Sequence, residues 1–214
     1  PAADRVLLHL GEQHAVELLE RRARDVSDGL AALGARRGDR IAILGETQIE
    51  WILADLGILG AGAITVTIYQ SNQAAECQFI LENSGARWIF CDTEAQVAKI
   101  RQARAKLPAL EGIIRATGRA ADGFERTLAD LERAGAEWRK ANPVAHEARV
   151  ASIGLDDAAS FIYTSGTTGN PKGVVLTHGN WVYEAAAIQR IELVGPTDVT
   201  LMFLPTARAL ARLS

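Results

Sequence analysis

The sequence contains 214 residues, of which 48% are hydrophobic, and its formal net charge is −3. This balanced charge argues against nucleic acid or another polyanion as a partner bound through bulk positive charge. The length suits one large α/β domain or two small ones. Two cysteines, Cys77 and Cys91, are too few for a metal centre or a disulfide framework. We therefore expect both thiols to be reduced in a cytoplasmic protein.

The apolar segment at residues 49–69 resembles a membrane span in its length. It contains Glu50 and Asp55, however, and changes to a glycine-rich, β-branched pattern after Leu59. A charged residue inside a span costs about 2.5–3.5 kcal/mol on insertion scales. Residues 1–10 also lack the basic start and apolar core of a signal peptide. We therefore expect a soluble protein without a transmembrane segment, and peripheral association with a membrane stays open.

The first half of the chain alternates between helical and strand patterns. Apolar residues at three- and four-residue spacing predict an amphipathic helix over residues 12–34. A short apolar strand follows at residues 40–44, and Thr47 with Glu50 has the spacing of a capping box for a helix to about Gly60. The next predicted elements are a strand at 63–68, a helix at 72–83, a strand at 87–91 and a helix from Asp92 or Thr93 to about residue 106.

The second half continues this alternation. A brief strand is predicted at residues 112–115 and a polar-faced helix at 124–139, whereas residues 140–157 contain the breaker Asn142-Pro143 and read as a surface connection. The remaining predicted elements are strands at 159–164, 173–177 and 199–204 and a helix at 180–191. Strand–helix alternation with apolar strands predicts an α/β fold, a doubly wound and largely parallel sheet with helices on both faces.

The stretch at residues 163–173 has a composition that no ordinary turn requires. It reads Tyr-Thr-Ser-Gly-Thr-Thr-Gly-Asn-Pro-Lys-Gly and lies between two apolar runs. Glycines let the backbone approach a ligand closely and expose N–H groups. Hydroxyls add short donors, and Lys172 adds a mobile charge suited to phosphate oxygens. Because ligands of parallel sheets bind beyond the carboxyl ends of strands, these residues predict a polyphosphate-binding loop.

Three alternative interpretations fit this stretch less well. A Walker loop is excluded because Pro171 precedes the lysine and Gly173 follows it. A nucleophile elbow is excluded because Tyr163, rather than a glycine, stands two residues before Ser165. A flexible linker does not need a proline and a lysine fixed between two β-rich runs. Residues 57–62 carry a reversed dinucleotide-type glycine spacing at a helix end, which favours close helix–strand packing.

Residues 163–174 resemble, without a gap, the phosphate-binding signature of the adenylate-forming enzymes. That family comprises acyl-CoA synthetases, luciferases and the adenylation domains of peptide synthetases, and its pattern is Tyr/Phe-Thr-Ser-Gly-Thr-Thr-Gly-x-Pro-Lys-Gly-Val. Residues 35–44 and 175–180 are also similar to the family. The segment Ile80–Ala86 is similar to long-chain fatty acyl-CoA synthetases in particular. Thr67 and Gln70 depart from the pattern, which usually has prolines there.

The resemblance implies two half-reactions. A carboxylate attacks the α-phosphate of Mg²⁺-bound ATP and expels pyrophosphate, and the thiol of coenzyme A then takes the acyl group. The residues that the resemblance assigns to the ATP phosphates are Thr164, Ser165, Gly166, Thr167, Thr168, Gly169 and Lys172. None of them is expected to act as a nucleophile, and no metal-binding residue is assigned. His178 can cap or orient the next helix and is not expected to serve as a base.

The end of the chain departs from the family and limits what the chain can do alone. Arg208 stands where the family has a histidine that borders the acyl pocket, so Arg208 is a candidate residue of the substrate pocket. Family members are far longer, and we expect residues 1–214 to be an incomplete N-terminal, AMP-binding domain, inactive without the adenine site and mobile domain downstream. A non-catalytic nucleotide-binding remnant and a domain that loads an amino acid on a carrier protein remain alternatives.

Overall fold

Helices and strands alternate along the chain in the computed structural model, which describes residues 12–164 and 171–190. The helices are α1 (Glu12–Ala32), α2 (Ile49–Gly60), α3 (Ala74–Ser84), α4 (Glu94–Ala103), α5 (Leu128–Ala141), α6 (Ala145–Ala151) and α7 (His178–Arg190). The strands are β1 (Arg40–Gly45), β2 (Ile64–Tyr69), β3 (Trp88–Cys91), β4 (Gly112–Arg115), β5 (Glu125–Thr127), β6 (Ala158–Thr164) and β7 (Lys172–Thr177). The strand predicted at residues 199–204 lies outside the described residues.

The described strands form one sheet in the order β5-β4-β3-β1-β2-β6-β7. All neighbours are parallel except β6 and β7, which form an antiparallel hairpin. From β1 the chain steps to β2 on one side, crosses to β3, β4 and β5 on the other side, and returns to β6 beyond β2. This topology confirms the prediction of a doubly wound, largely parallel α/β sheet, with its topological switch point between β1 and β3.

Both faces of the sheet are covered by helices. Along β1, Ile41 and Ile43 belong to an apolar cluster shared with α1, α2 and α5, whereas Ala42 and Leu44 belong to a second cluster shared with α3 and α4. Successive side chains of a strand face opposite sides of the sheet, which explains this division. A strand buried on both faces needs a continuous apolar run, and the sequence of β1 supplies one.

Helices α1 and α5 pack so closely that glycine is required where they touch. A Cβ atom added to Gly135 of α5 would lie 1.9 Å from the carbonyl oxygen of Asp25 and 2.5 Å from the amide nitrogen of Gly29. The same interface contains the fully buried carboxylate of Asp28, which accepts hydrogen bonds from Arg139 and Arg149 at 2.9 and 2.6 Å. These contacts join α1, α5 and α6 into one layer.

Three local features differ from the sequence-based expectations. Helix α2 begins at Ile49, so its N-cap residue is Gln48 and not Thr47 as predicted, and the Gln48 side chain makes no capping hydrogen bond. Strand β5 lies where only a helix was predicted, because its sequence Glu-Arg-Thr has no apolar run and Glu125 is buried through ion pairs instead. Helix α6 occupies part of the predicted surface connection, held to α1 by Arg149.

Candidate functional site

The β6–β7 hairpin carries both ends of the predicted phosphate-binding loop. Thr164, the last residue of β6, lies opposite Lys172, the first residue of β7. Five of the predicted phosphate-binding residues lie between them and outside the described residues, namely Ser165, Gly166, Thr167, Thr168 and Gly169. Since β6 runs parallel to β2, the strand end that carries Thr164 lies at the carboxyl edge of the sheet, where a ligand was expected.

The side chains of Thr164 and Lys172 are both exposed at this edge. Within residues 12–164 and 171–190, the Lys172 side chain makes no ion pair and no hydrogen bond. Lys99 differs, because its ammonium group donates to the carbonyl oxygens of Gln70 and Asn72 at 2.9 and 2.7 Å. An exposed ammonium group without a carboxylate partner is free to contact an anionic ligand.

The Tyr163 side chain occupies the neck of the hairpin. It is buried, lies opposite Gly173, and its hydroxyl donates a hydrogen bond of 2.6 Å to Oδ1 of Asn83. A Cβ atom on Gly173 would lie 3.1 Å from Cζ of the tyrosine ring, so glycine leaves the ring just enough room. Burial raises the pKa of the Tyr163 phenol, which keeps the hydroxyl protonated as a donor.

A cleft of about 700 Å³ opens beside the hairpin. Its polar wall is formed by Tyr69, Ser71, Asn72, Glu76, Tyr163 and Thr164. Apolar side chains from α3, β6 and β7 form the rest of its lining, including Ile80, Ile162 and Val174. An open cleft with apolar walls and a few polar groups is the usual form of a small-molecule site.

The segment after β2 forms one rim of this cleft and is held by side chains of α4. The carbonyl oxygen of Gln70 accepts hydrogen bonds from Gln96 Nε2 at 3.1 Å and from Lys99 Nζ at 2.9 Å. Gln73 then caps α3 in a capping box with Glu76. These contacts fix the segment at a position where the family pattern usually has proline, and no hydrophobic periodicity indicates them in advance.

The topological switch point between β1 and β3 is closed. The Asp92 carboxylate accepts hydrogen bonds from the amide of Glu46 at 2.9 Å and from Gln48 Nε2 at 3.3 Å, which bridges the ends of the two strands. The cavity beneath has a volume of about 20 Å³. That space suits about one water molecule, so the open cleft lies two strands away, at β2 and β6.

An ion-pair network links the last residue of β4, Arg115, to the first residue of β5, Glu125. Arg115 donates to Glu125 at 2.9 Å and also to Glu94, and Arg101 contacts the same two carboxylates. Burial alone raises the pKa of Glu125, but the Ala121 amide and the guanidinium groups of Arg115 and Arg101 outweigh it and lower the pKa. The network is therefore internally satisfied and offers no cation to a ligand.

His178 lies away from the polar wall of the cleft, and Cys77 and Cys91 are buried. His178 begins α7 at the far end of β7, roughly 17–20 Å from Lys172 by strand rise. Burial lowers the pKa of His178, and nearby Asp157 offsets part of that shift. Both cysteines are free and buried, and burial raises the pKa of Cys77 to about 11. The candidate pocket residue Arg208 lies outside the described residues.

No helix in the described parts of the chain is long and apolar enough to cross a membrane. In the same residues, no group of three or more histidine, cysteine or carboxylate side chains is arranged to hold a metal ion. The cleft beside the hairpin is the candidate site, because its polar groups and apolar walls lie next to the strand ends that carry Thr164 and Lys172.

Known proteins resemble this chain in sequence. The model of a family described as "AMP-binding enzyme" matches residues 3–214. The long-chain-fatty-acid–CoA ligase FadD15 of Mycobacterium bovis is 36% identical over 186 residues, which cover 86% of this chain and 30% of that protein. The chain therefore spans less than a third of the length of this curated relative.

Two solved structures have a fold similar to that of this chain. The ATP-bound structure of MatB from Rhodopseudomonas palustris superposes with a TM-score of 0.73 at 25% identity, over 93% of this chain and 36% of that one. The anthranilate CoA ligase AuaEII in complex with anthranoyl-AMP superposes with a TM-score of 0.68 at 28% identity, over 78% of this chain and 30% of that one.

Proposed function

The chain belongs to the family of AMP-binding enzymes, and from that premise we propose that it is the N-terminal, phosphate-binding part of a fatty acid–CoA ligase. The complete enzyme activates a carboxylic acid, in our proposal a long-chain fatty acid, to an acyl-adenylate and then to an acyl-CoA. Because the chain spans only about 30% of the FadD15 relative, the adenine site and a mobile domain belong to the remainder in this proposal.

The observation that carries the proposal is the exposed Lys172 ammonium opposite Thr164 at the carboxyl end of β6. In the first half-reaction the carboxylate forms a bond to the α-phosphorus of ATP, and the bond to the pyrophosphate oxygen breaks. Negative charge grows on the departing pyrophosphate, so a cation and hydrogen-bond donors aimed there lower the barrier. We assign this role to Lys172, to Thr164 and to the loop residues between them.

The chain's own residues bind and position in this reaction. The Mg²⁺ ion enters with ATP as part of the substrate complex, and no resident metal is invoked. In the second half-reaction the coenzyme A thiolate attacks the acyl carbon and AMP leaves, with both electrons of the broken bond remaining on AMP. The cleft of about 700 Å³ beside the hairpin gives the reactants access to the loop.

Two observations support the long-chain acid as the substrate class. FadD15 and a ligase from Xenopus laevis, 30% identical over 201 residues, are both named long-chain-fatty-acid–CoA ligases. The segment Ile80–Ala86, which resembles that branch, forms the end of α3 next to the hairpin. An ATP-dependent reaction and two buried free cysteines favour the cytoplasm as its compartment.

ATP–pyrophosphate exchange by the complete polypeptide tests the proposal. We expect exchange that depends on palmitate and is much weaker with propionate, anthranilate or a mixture of the amino acids. Exchange driven by an amino acid would instead identify a carrier-loading domain. ATP binding without exchange for any acid would identify a nucleotide-binding remnant and overturn the proposal.

A further inference from the structure

Tyr163 is the first residue of the phosphate-binding signature, at a position where the signature accepts tyrosine or phenylalanine. Only tyrosine has a hydroxyl there, and in this chain the hydroxyl has a partner. It donates a hydrogen bond of 2.6 Å to Oδ1 of Asn83, which lies eighty positions earlier in the chain. The contact joins the start of the loop to the end of helix α3.

The Tyr163 ring controls the geometry of the loop's neck. Tyr163 and Gly173 are opposite each other in the β6–β7 hairpin, and the next opposite pair, Thr164 and Lys172, bounds the loop itself. A Cβ atom on Gly173 would already lie 3.1 Å from the ring. A shift of the ring toward β7 therefore has little free space and would displace the strand that carries Lys172.

The end of α3 is a firm anchor for that ring. Ile80 and Leu81 are buried in the core, and the Ser84 hydroxyl donates to the Ile80 carbonyl at 2.7 Å. Arg40 of β1 donates to the carbonyl oxygen of Ser84 at 2.8 Å, which ties the last turn to the central strand. The Asn83 side chain itself is exposed, so its bond to Tyr163 is formed at the surface of a rigid element.

We propose that Tyr163 and Asn83 form a brace that positions the phosphate-binding loop, with Tyr163 as a positioning residue and Asn83 as its partner. The inference rests on the proposed function, because it assumes that the loop holds the phosphates of ATP. It also assigns a role to the Ile80–Ala86 segment. This segment resembles one branch of the family, and contacts with the phosphates alone do not explain that resemblance. The brace acts through the backbone of the hairpin and touches no reacting atom.

Loss of the brace is expected to weaken the use of ATP selectively. A neutral hydrogen bond of this kind corresponds to a change of about three- to tenfold in an equilibrium constant. We expect Tyr163→Phe and Asn83→Ala each to raise the KM for Mg-ATP by about that factor, while the KM for palmitate stays unchanged. A general loss of folding would instead lower the apparent kcat, because fewer molecules are active, and would leave the KM for both substrates unchanged.

The test is a double-mutant cycle on the complete polypeptide, with ATP–pyrophosphate exchange as the assay. Because the two residues share one bond, the double variant should be no worse than either single variant. Tyr183→Phe is the matched control, since Tyr183 is exposed on α7 and lies outside the brace. Additive effects of the two substitutions, or wild-type kinetics for Tyr163→Phe, would overturn the brace.

Hydrogen–deuterium exchange separates this inference from the proposed function. Tyr163→Phe and Asn83→Ala should both speed amide exchange in residues 163–173, and Tyr183→Phe should not. If the wild-type protein shows no pyrophosphate exchange but this pattern is found, the proposed function fails and the brace stands. If pyrophosphate exchange is present and amide exchange is unchanged in both variants, the brace fails and the proposed function stands.

Discussion

The carboxyl edge of the sheet has two halves that treat charge in opposite ways. In the closed half, at the ends of β3 and β4, the Arg115 side chain is 6% exposed and pairs with the first residue of β5, Glu125, which is 2% exposed. In the open half, at the ends of β2 and β6, Lys172 is exposed and has no ion-pair partner among the residues described. The charges of the closed half need each other, because removing one partner leaves the other buried without compensation. The exposed ammonium group of Lys172 has no such partner among the described residues and can contact an anionic ligand.

The comparison also shows that topology alone does not locate the candidate site. The general rule for doubly wound sheets places a ligand at the switch point, here between β1 and β3. Asp92 closes that point, and the cavity there has a volume of only about 20 Å³. The open cleft lies instead beside the β6–β7 hairpin, at the ends of β2 and β6. The composition of the loop therefore indicates the candidate site better than the strand order does.

Removal of Glu125 is the strongest test of the closed half. Glu125→Ala leaves the buried guanidinium group of Arg115 without the more deeply buried of its two carboxylate partners. Breaking a buried ion pair in this way costs about 3–5 kcal/mol. We expect that loss in the free energy of unfolding from urea denaturation. Glu94→Ala is the matched control, because Glu94 contacts the same two arginines from a side chain that is 59% exposed. Equal losses for both variants would contradict the distinction between the buried and the exposed partner.

Removal of Lys172 tests the open half. Loss of one group that stabilises developing charge typically lowers a rate by about 10²–10³-fold. We therefore expect Lys172→Ala to lower ATP–pyrophosphate exchange of the complete polypeptide by that factor and to leave its melting temperature unchanged. Lys140→Ala removes an exposed lysine that pairs with Glu137, and it should change neither quantity. A lower melting temperature for Lys172→Ala would assign this lysine to the fold instead.

A smaller loss is expected where α1 and α5 touch behind the closed half. Gly135→Ala would place a Cβ atom 1.9 Å from the backbone of α1, which cannot move aside as a flexible side chain can. Overpacking of this kind costs about 1–3 kcal/mol in unfolding free energy. Gly123→Ala adds the same methyl group where no atom lies within 4 Å, and its melting curve should match the wild type.

The smallest expected effect is a dependence of stability on acid pH. The pKa of Glu125 is lower in the folded protein than its ordinary value of 4.5. The unfolded chain therefore binds the proton first, and the stability from this group is complete above about pH 4.5 and falls as pH decreases through the folded pKa. The difference in unfolding free energy between wild type and Glu125→Gln should shrink over that range. A difference that grows on acidification would contradict the sign.

The sequence predicts the parts of the fold that depend on local pattern. The apolar runs of β1, β2 and β3 and the amphipathic spacing of α1 are sufficient to identify these elements, since burial on defined faces dictates both patterns. Strand β5 is hidden because Glu125 is buried by pairing with Arg115, a contact between distant residues that no local pattern records. The N-cap of α2 is Gln48, whose side-chain amide donates to the Asp92 carboxylate, and that contact between distant residues also leaves no local pattern.

The candidate site also has some features that the sequence predicts and others that depend on contacts between distant residues. The composition of residues 163–173 predicts a phosphate-binding loop, and that function stays a prediction. The structure shows the two ends of this stretch, Thr164 and Lys172, opposite each other in the hairpin. Neither the Asn83 partner of Tyr163 nor the support of Gln70 by Lys99 could be predicted. Both depend on which helix end meets which strand end, and that information exists only after the chain has folded.

The pairing of β6 with β2 has a consequence for how the protein is made. Thr65 is opposite Ser160 in the sheet, so three strands and four helices are synthesised between these partners. Pairing across so long a separation costs more loop-closure entropy than pairing of nearby segments. On the ribosome, β1 to β5 can therefore assemble while β6 is still inside the exit tunnel. The strand that carries the start of the signature then docks onto an existing sheet, so β6 joins its partner β2 after β1 to β5 have assembled.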